Sequence, residues 1–168
     1  MNNNLQEYIN ECYLILDNLN IPYYDKTLVV FKWNNRISTK WGYCRKNNDN
    51  TFTIAISSCL REDNIKHKKV LSVILHEILH TCPGCFNHGE LWMCYAKLIK
   101  QNYGIKIKEV ATAEDLGVPY QYRIKCKDCK YKMYFPMKPT MNNRKCPVCH
   151  SNNLKLRRKS YEYNGKRI

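Results

Sequence analysis

Apolar positions between residues 5 and 19 recur at spacings of three and four (Leu5, Tyr8, Ile9, Cys12, Leu16, Leu19), which predicts an amphipathic helix closed by Ile21 and Pro22. The period then shortens. Residues 27–33 (TLVVFKW), 41–45 (WGYCR) and 51–56 (TFTIAI) are rich in β-branched and aromatic types, and the polar cluster KNNDN separates the last two. This pattern predicts a small three-stranded antiparallel sheet containing a hairpin. Residues 65–80 are apolar nearly all round (Val70, Leu71, Val73, Ile74, Leu75, Ile78, Leu79), the signature of a buried helix. A loop, TCPGCFN, leads to a second helix over 89–103, which Gly104 ends as a C-terminal cap. Residues 105–119 read as a connector, and three short strand-like runs (YRIKC, YKMYF, LKLRR) follow among four cysteines. The order of elements predicts an α+β chain.

The sequence has 168 residues, of which 44% are hydrophobic, enough for one cored domain with a small appendage. No apolar run approaches the roughly 20 residues of a membrane helix. The first ten residues carry neither a basic nor an apolar leader segment, so the expected location is the cytosol, at the nucleoid in a prokaryote. Charge divides the chain unevenly. Residues 1–118 hold 14 Lys and Arg against 12 Asp and Glu, a net of +2, whereas residues 119–168 hold 14 against 2, a net of +12. The expected organisation is therefore a near-neutral body over 1–118 and a cationic subdomain over 119–168. Ten cysteines in a reducing compartment point to metal ligands rather than disulfides.

The string H-E-I-L-H places His76 and His80 one turn apart on a helix face, within reach of one metal ion. Glu77 beside them has the position of the general base of a metalloprotease. Two histidines and a glutamate on an apolar helix are costly to bury without partners, and a metal supplies one. An open catalytic zinc takes a third protein ligand. His88, which opens the next helix, is the best candidate; Glu90 competes, and Glu109 and Glu114 are remoter. Seven residues between His80 and His88, where the metzincin pattern has five, exclude that class.

Cys126-x2-Cys129 and Cys146-x2-Cys149, sixteen residues apart, have zinc-ribbon spacing, and four thiolates make a closed structural site. Two zinc ions per chain are thus expected. The ribbon holds the cationic excess, with Tyr122, Tyr131, Tyr134 and Phe135 interleaved among Arg123, Lys125, Lys127, Lys130 and Lys132, and with Arg157, Arg158 and Lys159 beyond. Aromatic faces that stack on bases beside cations that follow phosphates predict binding of a single-stranded or partly single-stranded nucleic acid. Cys82-Pro83-Gly84-Cys85 reads as a structural turn or a pair of auxiliary thiols, and Cys12, Cys44, Cys59 and Cys94 as small core residues.

The buried HExxH helix, a loop, and His88-Gly89-Glu90-Leu91-Trp92 opening a second helix resemble the SprT-like (Spartan-type) zinc metallopeptidase family. The lead-in strands at 41–45 and 51–57 and the C-terminal ribbon do so too, over residues 5–159 in all. The short thiol-bearing loop at 82–85 departs from larger relatives. The resemblance implies a zincin-like metallopeptidase body, with His76, His80 and His88 as zinc ligands and Glu77 as general base. It also implies an association with DNA and with proteolysis of proteins crosslinked to it. Two other functions fit the residues: a non-catalytic nucleic-acid-binding zinc protein, and a zincin protease that cuts a specific regulatory protein.

Overall fold

A computed structural model describes residues 4–37, 40–61 and 65–161, the last three without their side chains. The chain divides into two compact units, Met1–Gly117 and Val118–Ile168.

In the first unit, α1 (Leu5–Asn18) begins where the Asn4 side chain accepts from the Gln6 N–H, a side-chain N-cap. It buries Ile9, Cys12, Tyr13, Ile15 and Leu16. Three strands follow, β1 (Val29–Asn34), β2 (Gly42–Lys46) and β3 (Phe52–Ser57). The turn between β2 and β3 closes through the Thr51 carbonyl, which accepts from the Asn47 N–H, while the Asp49 carboxylate holds the Thr51 N–H and hydroxyl. That hairpin is antiparallel, as expected, but the sheet is not antiparallel throughout. β1 runs parallel to β3 on its far side, Val29 opposite Phe52 and Trp33 opposite Ile56, in the order β1-β3-β2. The tight turn commits β2 to one edge of β3, and β1 occupies the other. Central β3 is therefore buried at all six positions.

Helix α2 (His67–Leu79) packs on β2, β3 and α1. It buries nine residues, from Val70 to Leu79, and starts two residues later than the periodicity predicts. Helix α3 (Glu90–Tyr103) turns Trp92, Ala96 and Ile99 inward. It ends at Gly104, which takes φ 66° while its N–H donates to the Lys100 carbonyl. Cys94 lies on the outer face of α3 and is exposed, a correction to its expected core place, because two residues beyond Trp92 the helix has turned away from the core. Cys12 is buried, and Cys44 and Cys59 are half-buried. The connector contains one short helix, α4 (Ala113–Leu116). None of the described helices is long and apolar enough to cross a membrane.

The second unit is a three-stranded antiparallel sheet, β4 (Tyr120–Cys126), β5 (Lys132–Phe135) and β6 (Leu154–Tyr161), in the order β5-β4-β6. Each Cys-x2-Cys pair sits in a knuckle of the same form. The Cys126 N–H reaches the Tyr131 carbonyl and the Cys146 N–H that of Ser151. The residue after each second cysteine, Lys130 or His150, has positive φ. Asp128 ties the two halves together, accepting from Ser151 and Asn153.

Candidate metal centre and active-site cleft

Helix α2 presents His76 and His80 on one face, and His88 arrives immediately before the α3 N-cap, Gly89. The His76 Nε2 lies 3.2 Å from the Nε2 of His80 and 3.2 Å from that of His88. On the other side of the rings, the Lys108 carbonyl faces His76 Nδ1 at 2.9 Å and the Cys85 carbonyl faces His80 Nδ1 at 3.2 Å. A carbonyl only accepts, so these two Nδ1 atoms carry the protons and the two Nε2 atoms present lone pairs to each other. Lone pairs at that distance repel, and a shared cation removes the repulsion. Nitrogens around a tetrahedral zinc, with bonds of about 2.0–2.1 Å, stand roughly 3.3 Å apart. The donor set fits zinc in chemistry, tautomer and spacing. Burial, with the neighbouring histidines adding to it, pushes His76 down to about 4 and also lowers His80, so both rings are neutral at physiological pH, the form a metal needs. The Trp92 ring, 1% exposed, packs against all three imidazoles with centroids 4.6–6.0 Å away.

Glu77 is 5% exposed and takes no part in the three-histidine cluster. Burial pushes its carboxyl up to about 8, against the opposing pull of Lys40 and of the Cys44 backbone N–H that donates to it. A divalent cation beside it adds the opposite charge and lowers that value. Gly42, the first residue of β2, lies directly against this carboxylate. A Cβ there would stand 2.7 Å from Glu77 Oε1 and 2.9 Å from its Cγ. The glycine is required by close approach, not by its backbone angles.

Gly42, His76, Glu77 and His80 line a cleft of about 580 Å³, walled by β2 on one side and by residues 106–111 on the other. Trp41 joins the walls, its indole N–H donating to the Ala111 carbonyl at 2.7 Å. Of the competing acidic ligands, Glu109 lines the cleft, and Glu90, Glu109 and Glu114 all lie outside the three-histidine cluster. Cys82 and Cys85 are buried in a turn closed by the Cys85 N–H on the Cys82 carbonyl, and burial raises both thiols, Cys82 to about 12. They are structural thiols, and the backbone of Cys85 orients His80.

In the second unit Cys126, Cys129, Cys146 and Cys149 converge, with sulfur pairs 3.6 and 3.5 Å apart. Tetrahedral zinc with Zn–S bonds of about 2.3 Å spaces its sulfurs by roughly 3.8 Å, so this set also fits zinc. The Cys149 and Val148 N–H groups, acting against burial, pull Cys146 down to about 7, toward the thiolate a metal requires.

Pairing in the second sheet sorts the expected nucleic-acid residues by face. Arg123 and Lys125 of β4 stand opposite Tyr134 and Lys132 of β5, and opposite Arg157 and Lys155 of β6. Directly paired residues share a face, so five cations and a tyrosine form one surface, flanked by Tyr120, whose ring is 6.2 Å from that of Tyr134. Lys155 belongs to this surface although the patch as read from sequence omits it. Phe135 and Arg158 fall on the opposite, apolar face with Tyr122, Ile124, Met133 and Leu156, as the two-residue period of a strand dictates. There Arg144 covers Phe135 and Arg158 covers Tyr122. Lys127, Lys130 and Tyr131 are exposed at the first knuckle, and the Lys159 side chain lies outside the described residues.

Reading residue types missed four contributors: Gly42, the Cys44 N–H, and the carbonyls of Cys85 and Lys108. Gly42 alone carried a signal, since a glycine inside a strand marks close approach; backbone groups have none.

The fold and site define a zincin-like α+β body with a candidate three-histidine metal centre and a C-terminal four-cysteine cluster compatible with a zinc ribbon. The SprT-like family model matches residues 9–112, more than half of the chain. The chain belongs to the SprT-like family, which is associated with zinc-protease function. No curated protein and no solved structure is matched significantly.

Proposed function

We propose that the chain is a zinc-dependent metalloendopeptidase that acts on proteins bound or crosslinked to DNA, with the basic ribbon bringing it to the nucleic acid. The observation that carries the catalytic part is the convergence of His76, His80 and His88, with His76 and His80 lining a cleft beside the buried Glu77. His76, His80 and His88 would hold a zinc ion, which would supply a Lewis acid able to acidify water and polarise a peptide carbonyl. Glu77 accepts the proton of the attacking water at a carboxylate oxygen and returns it to the leaving amine. The Cys44 N–H and the bare Gly42 backbone hold that carboxylate in place. Lys108 and Cys85 carbonyls keep the His76 and His80 tautomers that leave Nε2 free to ligate.

The cationic sheet face with Tyr134 supports the DNA part, since five cations beside a stacking ring match the needs of a single strand. Cleavage of a DNA-binding protein, with and without single-stranded DNA, comparing wild type with Glu77→Gln, tests the proposal. Wild type should cleave, faster with DNA present, and Glu77→Gln should lose at least about 100-fold in rate, as removal of a general base does. Equal cleavage by the two proteins would remove the peptidase reading. DNA binding without cleavage by either would favour a binding module.

A further inference from the structure

His76 depends on a carbonyl from outside its own helix, and the segment that supplies it is closed on itself by one side chain. Asp115 Oδ1 accepts from Lys108 Nζ at 2.6 Å, while its Oδ2 accepts from the Thr112 N–H and hydroxyl, each at 3.0 Å. The Thr112 hydroxyl in turn accepts from the Asp115 N–H at 3.2 Å, which completes the capping box of α4. One carboxylate thus grips both ends of residues 108–112. α4 is seated by buried Ala113 and Leu116, so the grip is anchored to the core. Lys108 is the residue whose carbonyl receives the His76 Nδ1 proton at 2.9 Å. A backbone carbonyl aims at a ring only if its own residue is held, and here the holding is done by that residue's side chain.

We propose that Asp115 is a positioning residue for the metal centre: by binding Lys108 and Thr112 it fixes the Lys108 carbonyl on His76. It lies outside the matched stretch 9–112, lines the cleft, and is not part of the three-histidine cluster. The alternative is that Asp115 only caps a four-residue helix and stabilises the fold. Partners that orient a ligating histidine affect metal retention, typically by 10- to 100-fold in affinity, which a cap alone does not.

The proposal rests on the reading of the three histidines as a metal site. The test is release of cobalt(II) from the loaded full-length chain to excess chelator. The ribbon metal is followed by its thiolate charge-transfer absorption and the histidine-bound metal by its weaker visible bands. Asp115→Ala should release the histidine-bound metal about tenfold faster, with Lys108→Met between it and wild type and ribbon release unchanged. Ile15→Val, a core substitution in α1 away from the connector, provides a chain of lowered Tm for comparison. Release from Asp115→Ala at the wild-type rate, or an equal acceleration by Ile15→Val at a matched loss of Tm, overturns the proposal. If Asp115→Ala does not fold, Lys108→Met removes the same ion pair, leaves the cap, and is judged against the same outcomes. A wild-type chain that takes up no cobalt at the histidines refutes the metal site itself, a distinct result.

Discussion

In the body, the three imidazoles stand at the edge of a core in which Leu16, Ile54, Ile74, Ile78 and Ile99 are completely buried. In the ribbon the buried apolar side chains outside the sulfur cluster are, among the described residues, Val118, Ile124 and Met137, with Pro139. The first unit would keep its fold with its metal removed, because the sheet and helices bury one another. The second has so little to bury that its four sulfurs occupy the place of a core. Under the proposed reading, one fold would position a metal for use and the other would need a metal to exist.

Metal removal should therefore separate the units, and this is the largest effect expected. Structural zinc sites contribute about 10–16 kcal/mol of apparent binding free energy, far more than a few buried side chains supply. After chelation, amide protons of β4–β6 should exchange at once, while those of β3 and α2 stay protected on hydrogen–deuterium exchange. Cys146→Ser should reproduce the ribbon loss and leave the body's exchange unchanged. If β4 stayed as protected as β3, the contrast between the units would be wrong.

The middle-sized effect lies inside the body and separates its chemistry from its stability. Gly42→Ala puts a methyl group 2.7 Å from Glu77 Oε1, and the carboxylate, not the strand, has to move. Gly→Ala in an extended segment lowers the entropy of the unfolded chain by the equivalent of about 0.4–1 kcal/mol, which offsets part of the cost of displacing the carboxylate. We therefore expect a Tm within a few degrees of wild type, full zinc content, and a drop in kcat/KM of about 100-fold, the cost of roughly 1 Å of misplacement. Unchanged kcat/KM would show that Gly42 does not set the position of Glu77.

How much of this was legible beforehand depended on whether the signal was local. His76 and His80 lie one turn apart and each cysteine pair spans a knuckle, so spacing alone located those six residues, whereas His88 stood as one candidate beside Glu90, Glu109 and Glu114. The hairpin at 47–51 was legible for the same reason. The parallel pairing of β1 with β3 was not, since it joins strands that β2 separates along the chain, which no local pattern records. The orienting carbonyls of Lys108 and Cys85 were equally silent, because every residue has one. Gly42 lay between: its presence in a strand was visible, its neighbour was not. In the ribbon, Arg157 and Arg158 read as one basic cluster, although consecutive residues of a strand face opposite ways.

That last pair gives the smallest effect and the finest division, two sides of one sheet. Arg157 stands beside Arg123 on the cationic face, whereas Arg158 covers Tyr122 on the apolar one. If single-stranded DNA lies on the cationic face, Arg157→Ala removes one phosphate contact and Arg158→Ala removes none. Each phosphate contact contributes about 0.7 to the slope of log K against log salt for a single strand. Fluorescence anisotropy titrations over several salt concentrations should show the slope reduced by about 0.7 for Arg157→Ala and unchanged for Arg158→Ala. The net charge of the two variants is identical, so a general attraction to the +12 subdomain would affect them equally. Equal slopes would assign binding to overall charge, and a larger loss from Arg158→Ala would move it to the other face.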